Sequence, residues 1–238
     1  MPLSDPDEIR LLVLQPRNGG ETVACNIKHV KKSRKPQYEA LSYMWGSDDI
    51  MNIQINGQDA EVRQNLWQAL YHLRYDNAPR ILWVDAISIN QQDVHERNHQ
   101  VEMMGKIYAG ASRVVVWLGE PTPPIIQAME FLARTKPGDV TKLQAGNRNL
   151  DYQFQRISRN GRFSTVKSAE INALLLHQYW DRLWIIQEVL LASEVIVYCG
   201  TRSVPLSHVW HFFPRTLREN MNHFRDMKGD LQDYRLMS

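Results

Sequence analysis

The segment Ile81–Asp93, ILWVDAISINQQD, decides the fold. Its first four residues form an unbroken apolar run, the pattern of a strand buried on both faces of a parallel sheet. The run empties directly into Asp85, and Asn90, Gln91 and Asp93 extend a polar edge where open α/β sheets place their ligand crevice. A helical pattern over 94–108 and a second apolar strand over 114–118 follow. This alternation predicts an α/β fold with a mainly parallel sheet flanked by helices, and with Val84, Val115 and Val197 central.

Reading toward the N-terminus, 9–14 and 22–29 form one strand pair around Asn18, Gly19 and Gly20, and 50–55 and 59–62 form another around Asn56-Gly57. Between them lies YEALSYMWG, Tyr38–Gly46, a short strand ending in glycine, and from Asn65 the spacing of Leu66, Ala69, Leu70 and Leu73 is helical. Toward the C-terminus, 125–133 is helical, and 134–167, rich in Gly, Asn, Lys and Arg with weak periodicity, reads as a mobile insertion. An almost wholly apolar helix is expected over 179–192 and a last buried strand over 195–198. The expectation is a single domain over 1–238 with its core at about 9–200. Residues 201–238 read as a helical extension, and the lack of a closing cap suggests a piece of a longer protein.

With 238 residues, 43% of them hydrophobic, the chain can bury a large core, and a formal net charge of +2 gives no argument for nucleic acid or an anionic membrane. Only two cysteines, Cys25 and Cys199, point to a reducing compartment. The start, MPLSDPDEIR, lacks the basic and apolar parts of a signal peptide, and no run reaches the roughly 18 apolar residues of a membrane span. A cytoplasmic protein is expected. GxGxxG, GxxxxGK[ST] and GxSxG are all absent, which removes the usual support for dinucleotide-fold dehydrogenases, P-loop ATPases and α/β-hydrolases.

Four constellations could carry chemistry. His95, Glu96 and His99 in HERNH match the spacing of a zinc protease helix, but Arg97 and Asp93 make that helix charged and no third ligand follows. The favoured reading is an exposed first turn with no metal, in which Glu96 complements the helix N-terminus. Trp180, Trp184, Glu188 and Leu191 fall at i, i+4, i+8 and i+11, so a carboxylate shares a helix face with two indoles. Glu188 is then either a catalytic acid in a part-desolvated pocket or half of a buried ion pair, with Arg97 or Arg182 as partner. Asp85 and Asn90 either line a crevice or bond their own loop. Tyr43 and Trp45 either stack on a flat ligand such as a nucleotide base or belong to the core.

YEALSYMWG at Tyr38, ILWVDAISINQQD at Ile81, IYAGASRVVVWLGE at Ile107 and YWDRLWIIQEV at Tyr179 together resemble the heterokaryon incompatibility (HET) domain in order and spacing, over about 9–200. Ser88 stands where that family usually has cysteine. The resemblance implies a fungal death-inducing effector within a larger protein, with self-association, other domains or death-pathway proteins as partners. More distantly, the chain is similar to TIR domains, which implies a flavodoxin-like layout with the hairpins added. Trp184 and Glu188 resemble the TIR W-C-x-x-E helix, with Ile185 in place of the cysteine and Val189 in place of leucine. Some TIR domains cleave NAD at the nicotinamide-ribose bond through that glutamate. The resemblance therefore implies an NAD glycohydrolase with Glu188 catalytic, with Tyr43, Trp45, Asp85, Asn90 and Trp184 lining the pocket, and with no cofactor required. A non-enzymatic, self-associating interaction module is the alternative, and a zinc hydrolase the remote one.

Overall fold

The computed structural model describes residues 2–18, 20–135, 140–144, 152–157, 163–182 and 185–213. The chain begins with β1 (Glu8–Leu14), β2 (Ala24–Lys31), β3 (Glu39–Tyr43), β4 (Ile50–Ile55), β5 (Gln58–Arg63), α1 (Gln64–Leu73) and β6 (Arg80–Trp83). It continues through α2 (Asp85–Ser88), α3 (Val94–Gly110), β7 (Arg113–Trp117), α4 (Pro123–Ala133), β8 (Val140–Gln144), β9 (Tyr152–Ile157) and β10 (Phe163–Lys167). Last come α5 (Ser168–Leu175), α6 (Ile185–Val189), β11 (Val195–Cys199), β12 (Arg202–Pro205) and α7 (Leu206–Trp210). Two compact units result, Met1–Glu120 with Gln187–Thr201, and Pro121–Ile186 with Arg202–Ser238.

In the first unit the strands hydrogen-bond in the order β11-β7-β3-β6-β1-β2-β4-β5. β3 runs parallel to β6 and β7, and β7 runs parallel to β11. β1 is antiparallel to both β2 and β6, and β4 to β5, while β2 and β4 are parallel. The sheet is therefore mixed, which corrects the expectation of a mainly parallel one. The N-terminal hairpins extend the sheet instead of decorating it, because β1 zips onto β6 with Leu12 opposite Leu82. The β4–β5 hairpin forms where Asn56-Gly57 predicts it, and both residues adopt the positive φ of a type I′ turn, 52° and 77°.

Period-two alternation then divides the side chains between two layers. Leu41 and Tyr43 of β3 join Leu12, Leu14, Leu82, Val115 and Trp117 in one core cluster, against Leu66, Ala69, Leu70 and Leu73 on the apolar face of α1. On the other face Trp83 meets Tyr108 of α3 edge to face, with ring centroids 5.4 Å apart, and the Tyr108 hydroxyl donates to the Leu41 carbonyl at 3.0 Å. α3 starts where it does because the Asp93 side chain accepts the N–H groups of His95 and Glu96, an N-cap. Val84, Val115 and Val197 are all fully buried. Cys25 and Cys199 are buried and form no disulfide.

The second unit holds an antiparallel three-stranded sheet in the order β10-β9-β8 and the packed helices α4 and α5. The stretch 134–167, read as an insertion, contains those strands, and its other residues after Thr135 lie outside the described ones. One helix over 179–192 is not what forms. Gln178–Asp181 is a 3-10 turn ending at Arg182 in an extended conformation, ψ 130°, and α6 is confined to Ile185–Val189. The aromatic side chains account for the break: Tyr179 packs edge to face on Trp180, and Trp180 on Phe213 beyond α7, a tertiary packing that replaces a shared helix face. The proposed extension over 201–238 contains β12 and α7, and 214–238 lies outside the described residues. No helix among the described residues is long and apolar enough to cross a membrane.

Candidate functional site

β3 is the strand on which the candidate site turns. Its five residues are all buried, including Ser42 at 1% exposure. Ser42 sits opposite Val116 of β7, near the carboxyl ends of both strands. Its hydroxyl donates to Oε2 of Glu188 in a short hydrogen bond, and Glu188 is 2% exposed. The pair brings together residues 146 positions apart. A buried carboxylate needs partners, because desolvation penalises its charge unless hydrogen bonds or cations replace the lost water. Of the arginines read from the sequence as candidate partners, Arg97 donates to the Gln91 carbonyl at 3.3 Å, and the Arg182 guanidinium lies 5.4 Å from the centre of the Tyr179 ring.

The other predicted residues fall into a second group. The Trp45 indole N–H donates to Asp85 Oδ2 at 3.2 Å, and the Ala86 N–H donates to Asp85 Oδ1 at 2.7 Å. Tyr43 and Trp45 border an open groove of about 390 Å³ whose walls include Ile27, Ile55, Leu66 and Ile87. Ser42 and Tyr43 are adjacent in β3 and point to opposite faces of the sheet. Glu188 therefore meets β3 on one face, and Tyr43 opens into the groove on the other. Asn90 serves its own loop: its side-chain oxygen accepts the Gln92 N–H at 3.2 Å, and its N–H donates to Glu96 at 2.8 Å. Trp184 lies outside the described residues.

Glu96 and His99 of the HERNH motif are engaged in tertiary structure. The first turn of α3 is exposed at Val94 and His95, as read from the sequence, but the Glu96 carboxylate is covered by Arg10, which forks onto both of its oxygens at 2.5 and 3.0 Å. The Arg10 guanidinium is the main reason its carboxyl sits below the usual range. His99 Nε2 stands 2.9 Å from the Pro6 carbonyl. Among the described residues no group of three His, Cys, Asp or Glu side chains is placed to hold a metal ion. Burial pushes the Cys25 thiol up to about 11, which leaves it an inert core residue and no nucleophile.

Sequence reasoning gave Ser42 no role, because it has no adjacent histidine or aspartate signature in the chain. A period-two reading of SYMWG does set Ser42 on the face opposite Tyr43, but nothing local points to its partner.

A model of the heterokaryon incompatibility protein (HET) family matches residues 38–188, a span that begins in front of β3 and closes on Glu188. The chain is 30% identical, over 236 residues, to "Heterokaryon incompatibility protein 6, OR allele" of Neurospora crassa. That match covers 85% of this chain but 35% of the relative's length. No solved structure matches it. The two ends of the matched span, the YEALSYMWG strand and the helix bearing Glu188, are the parts joined by the Ser42–Glu188 hydrogen bond, and the chain belongs to the heterokaryon incompatibility (HET) family.

Proposed function

We propose that the chain is an effector module of heterokaryon incompatibility whose working group is Glu188, and that it cleaves NAD between nicotinamide and ribose. Family membership and the name of the Neurospora relative support the incompatibility role. The chemistry is supported by one observation, a buried glutamate held by a serine hydroxyl beside the carboxyl ends of two parallel strands. Counted in chain order, the parallel strands β3, β6, β7 and β11 lie in the spatial order second, first, third, fourth. Flavodoxin-like sheets begin with this order, and they bind ligands where the connections diverge, here between β3 and β7. Ser42 and Val116 are paired across that divide.

In the reaction the bond between the anomeric carbon and the nicotinamide nitrogen breaks, and its electron pair returns to the pyridine ring. Positive charge develops on the ribose, where the Glu188 carboxylate stabilises it electrostatically. Water then adds to the anomeric carbon and loses a proton, giving ADP-ribose. The Ser42 hydroxyl holds one carboxylate oxygen and so helps to orient the acid.

Nicotinamide release from NAD at high protein concentration tests this. Glu188→Gln keeps the size of the side chain and removes its charge, and the rate should fall roughly a hundredfold or more, the scale of losing one preorganised electrostatic contact. Circular dichroism of the variant should match the wild type. Equal inactivity of both folded proteins under clustering conditions would defeat the catalytic reading and leave a self-associating interaction module.

A further inference from the structure

The groove on the α1 side of β3 is built unlike the surface around it. Two large apolar side chains on its border are left in water, Trp45 at 44% exposure and Ile50 at 52%. The indole is held in place by its hydrogen bond to Asp85, and the Arg63 guanidinium lies over its ring, 5.3 Å from the centroid. The volume of about 390 Å³ is within the range of pockets that take small organic ligands, roughly 300–1,000 Å³. Gln91 adds a carboxamide to a rim otherwise set by Arg63 and Glu61.

We propose that this groove is a binding site for a small planar organic anion, an aromatic ring bearing one carboxylate or sulfonate. The ring enters among Trp45, Ile27, Ile55 and Ile87, and the acid group takes Arg63. Arg63 can be recruited because its present partner is weak: Asp48, 2.8 Å away, has a side chain 90% exposed to solvent, and such pairs exchange readily. The guanidinium is anchored for the task by its stack on Trp45 and by a long hydrogen bond to the Gly46 carbonyl at 3.4 Å. Glu61, on the same rim, repels a second negative group and so limits the ligand to one. Because Tyr43 and Ser42 face opposite ways, the site is separate from Glu188 and does not depend on the reading given to that acid.

Fluorescence titration of the whole chain with anilinonaphthalene sulfonate, and with its uncharged counterpart phenylnaphthylamine, decides the matter. The anionic dye should saturate a single site. Arg63→Gln should weaken its binding about tenfold or more and leave the neutral dye within about twofold, because only the anion uses the guanidinium. Asp48→Asn removes the competing carboxylate without touching the groove and should tighten the anionic dye alone. Trp45→Leu should weaken both dyes, and Glu188→Gln neither. The proposal is overturned by the absence of a saturable site. It is equally overturned if the anionic dye responds to neither the Arg63 nor the Asp48 substitution in proteins with wild-type circular dichroism.

Discussion

Asn65 joins the ends of two central strands with one side chain. Its amide donates to the Met44 carbonyl, just past β3, at 2.5 Å, and its carbonyl oxygen accepts the indole N–H of Trp117, the last residue of β7, at 3.0 Å. Gly46 follows with φ of 74°, and a Cβ there would come within 2.9 Å of the Asn65 Cβ. Glycine is required on both counts, since a left-handed backbone and a backbone-level approach coincide. Asn65→Ala would strand the indole N–H of a fully buried tryptophan, and a loss of about 2–3 kcal/mol is expected in urea unfolding. Asn65→Asp keeps the acceptor for Trp117 and loses the donor to Met44, so its loss should be the smaller of the two. If the alanine variant were as stable as the wild type, the clamp would be an accident of packing. Ser42 belongs to the same scale, since its hydroxyl meets Glu188 in a side-chain hydrogen bond between residues 146 positions apart.

Among the elements, β1 and α3 are fastened by Arg10 and Glu96, whose side chains are 6% and 8% exposed. Arg10 also donates to the Ser88 carbonyl at the end of α2, and Glu96 also accepts the Asn90 N–H, so one ion pair orders the whole connection from β6 to α3. Glu96→Ala takes the carboxylate from a buried guanidinium that keeps its bond to the Ser88 carbonyl, and should cost about 3 kcal/mol. Arg10→Met with Glu96→Leu should recover most of that loss, because the desolvation penalty of both charges disappears. A double variant no more stable than Glu96→Ala alone would mean that the pair holds geometry that apolar packing cannot. This contact also marks where the sequence stops being readable. The β4–β5 hairpin was legible because its signal, Asn56-Gly57, is local, and α1 because its apolar residues repeat at helical spacing. The partner of Glu96 is not legible, because Arg10 is 86 residues away and leaves no periodic trace. The mixed sheet escaped for the same reason, since β1 resembles any hairpin strand until its second edge pairs with β6. The aromatic-rich 179–192 segment shows the opposite failure, a strong local pattern overruled by packing around Trp180.

For the whole molecule, the shifted groups that titrate below neutrality point in one direction. Asp5, Asp7 and Glu8 hold their carboxyls below the ordinary range, chiefly through hydrogen bonds to Lys31, Ser33 and Ser4 respectively, and Glu96 does so through Arg10. A depressed carboxylate stabilises the fold above its unfolded pKa of about 4, and that contribution is lost as pH falls through the folded value. His177 acts at higher pH. Desolvation lowers its pKa, and its Nδ1 accepts the Tyr179 N–H at 3.2 Å, which an unprotonated nitrogen alone can do. Below the unfolded value of about 6.5 the open chain binds a proton that the folded chain refuses, so stability again falls with pH. Thermal unfolding should therefore show Tm descending in two stages, a shallow one beginning near pH 6.5 and a steeper one below about pH 4.5. His177→Asn keeps an acceptor at this cap position and cannot titrate, so it should flatten the upper stage and leave the lower one untouched. An unchanged upper stage in that variant would assign it to another group, and a Tm that rose as pH fell from 7 to 5 would contradict the direction of the His177 shift.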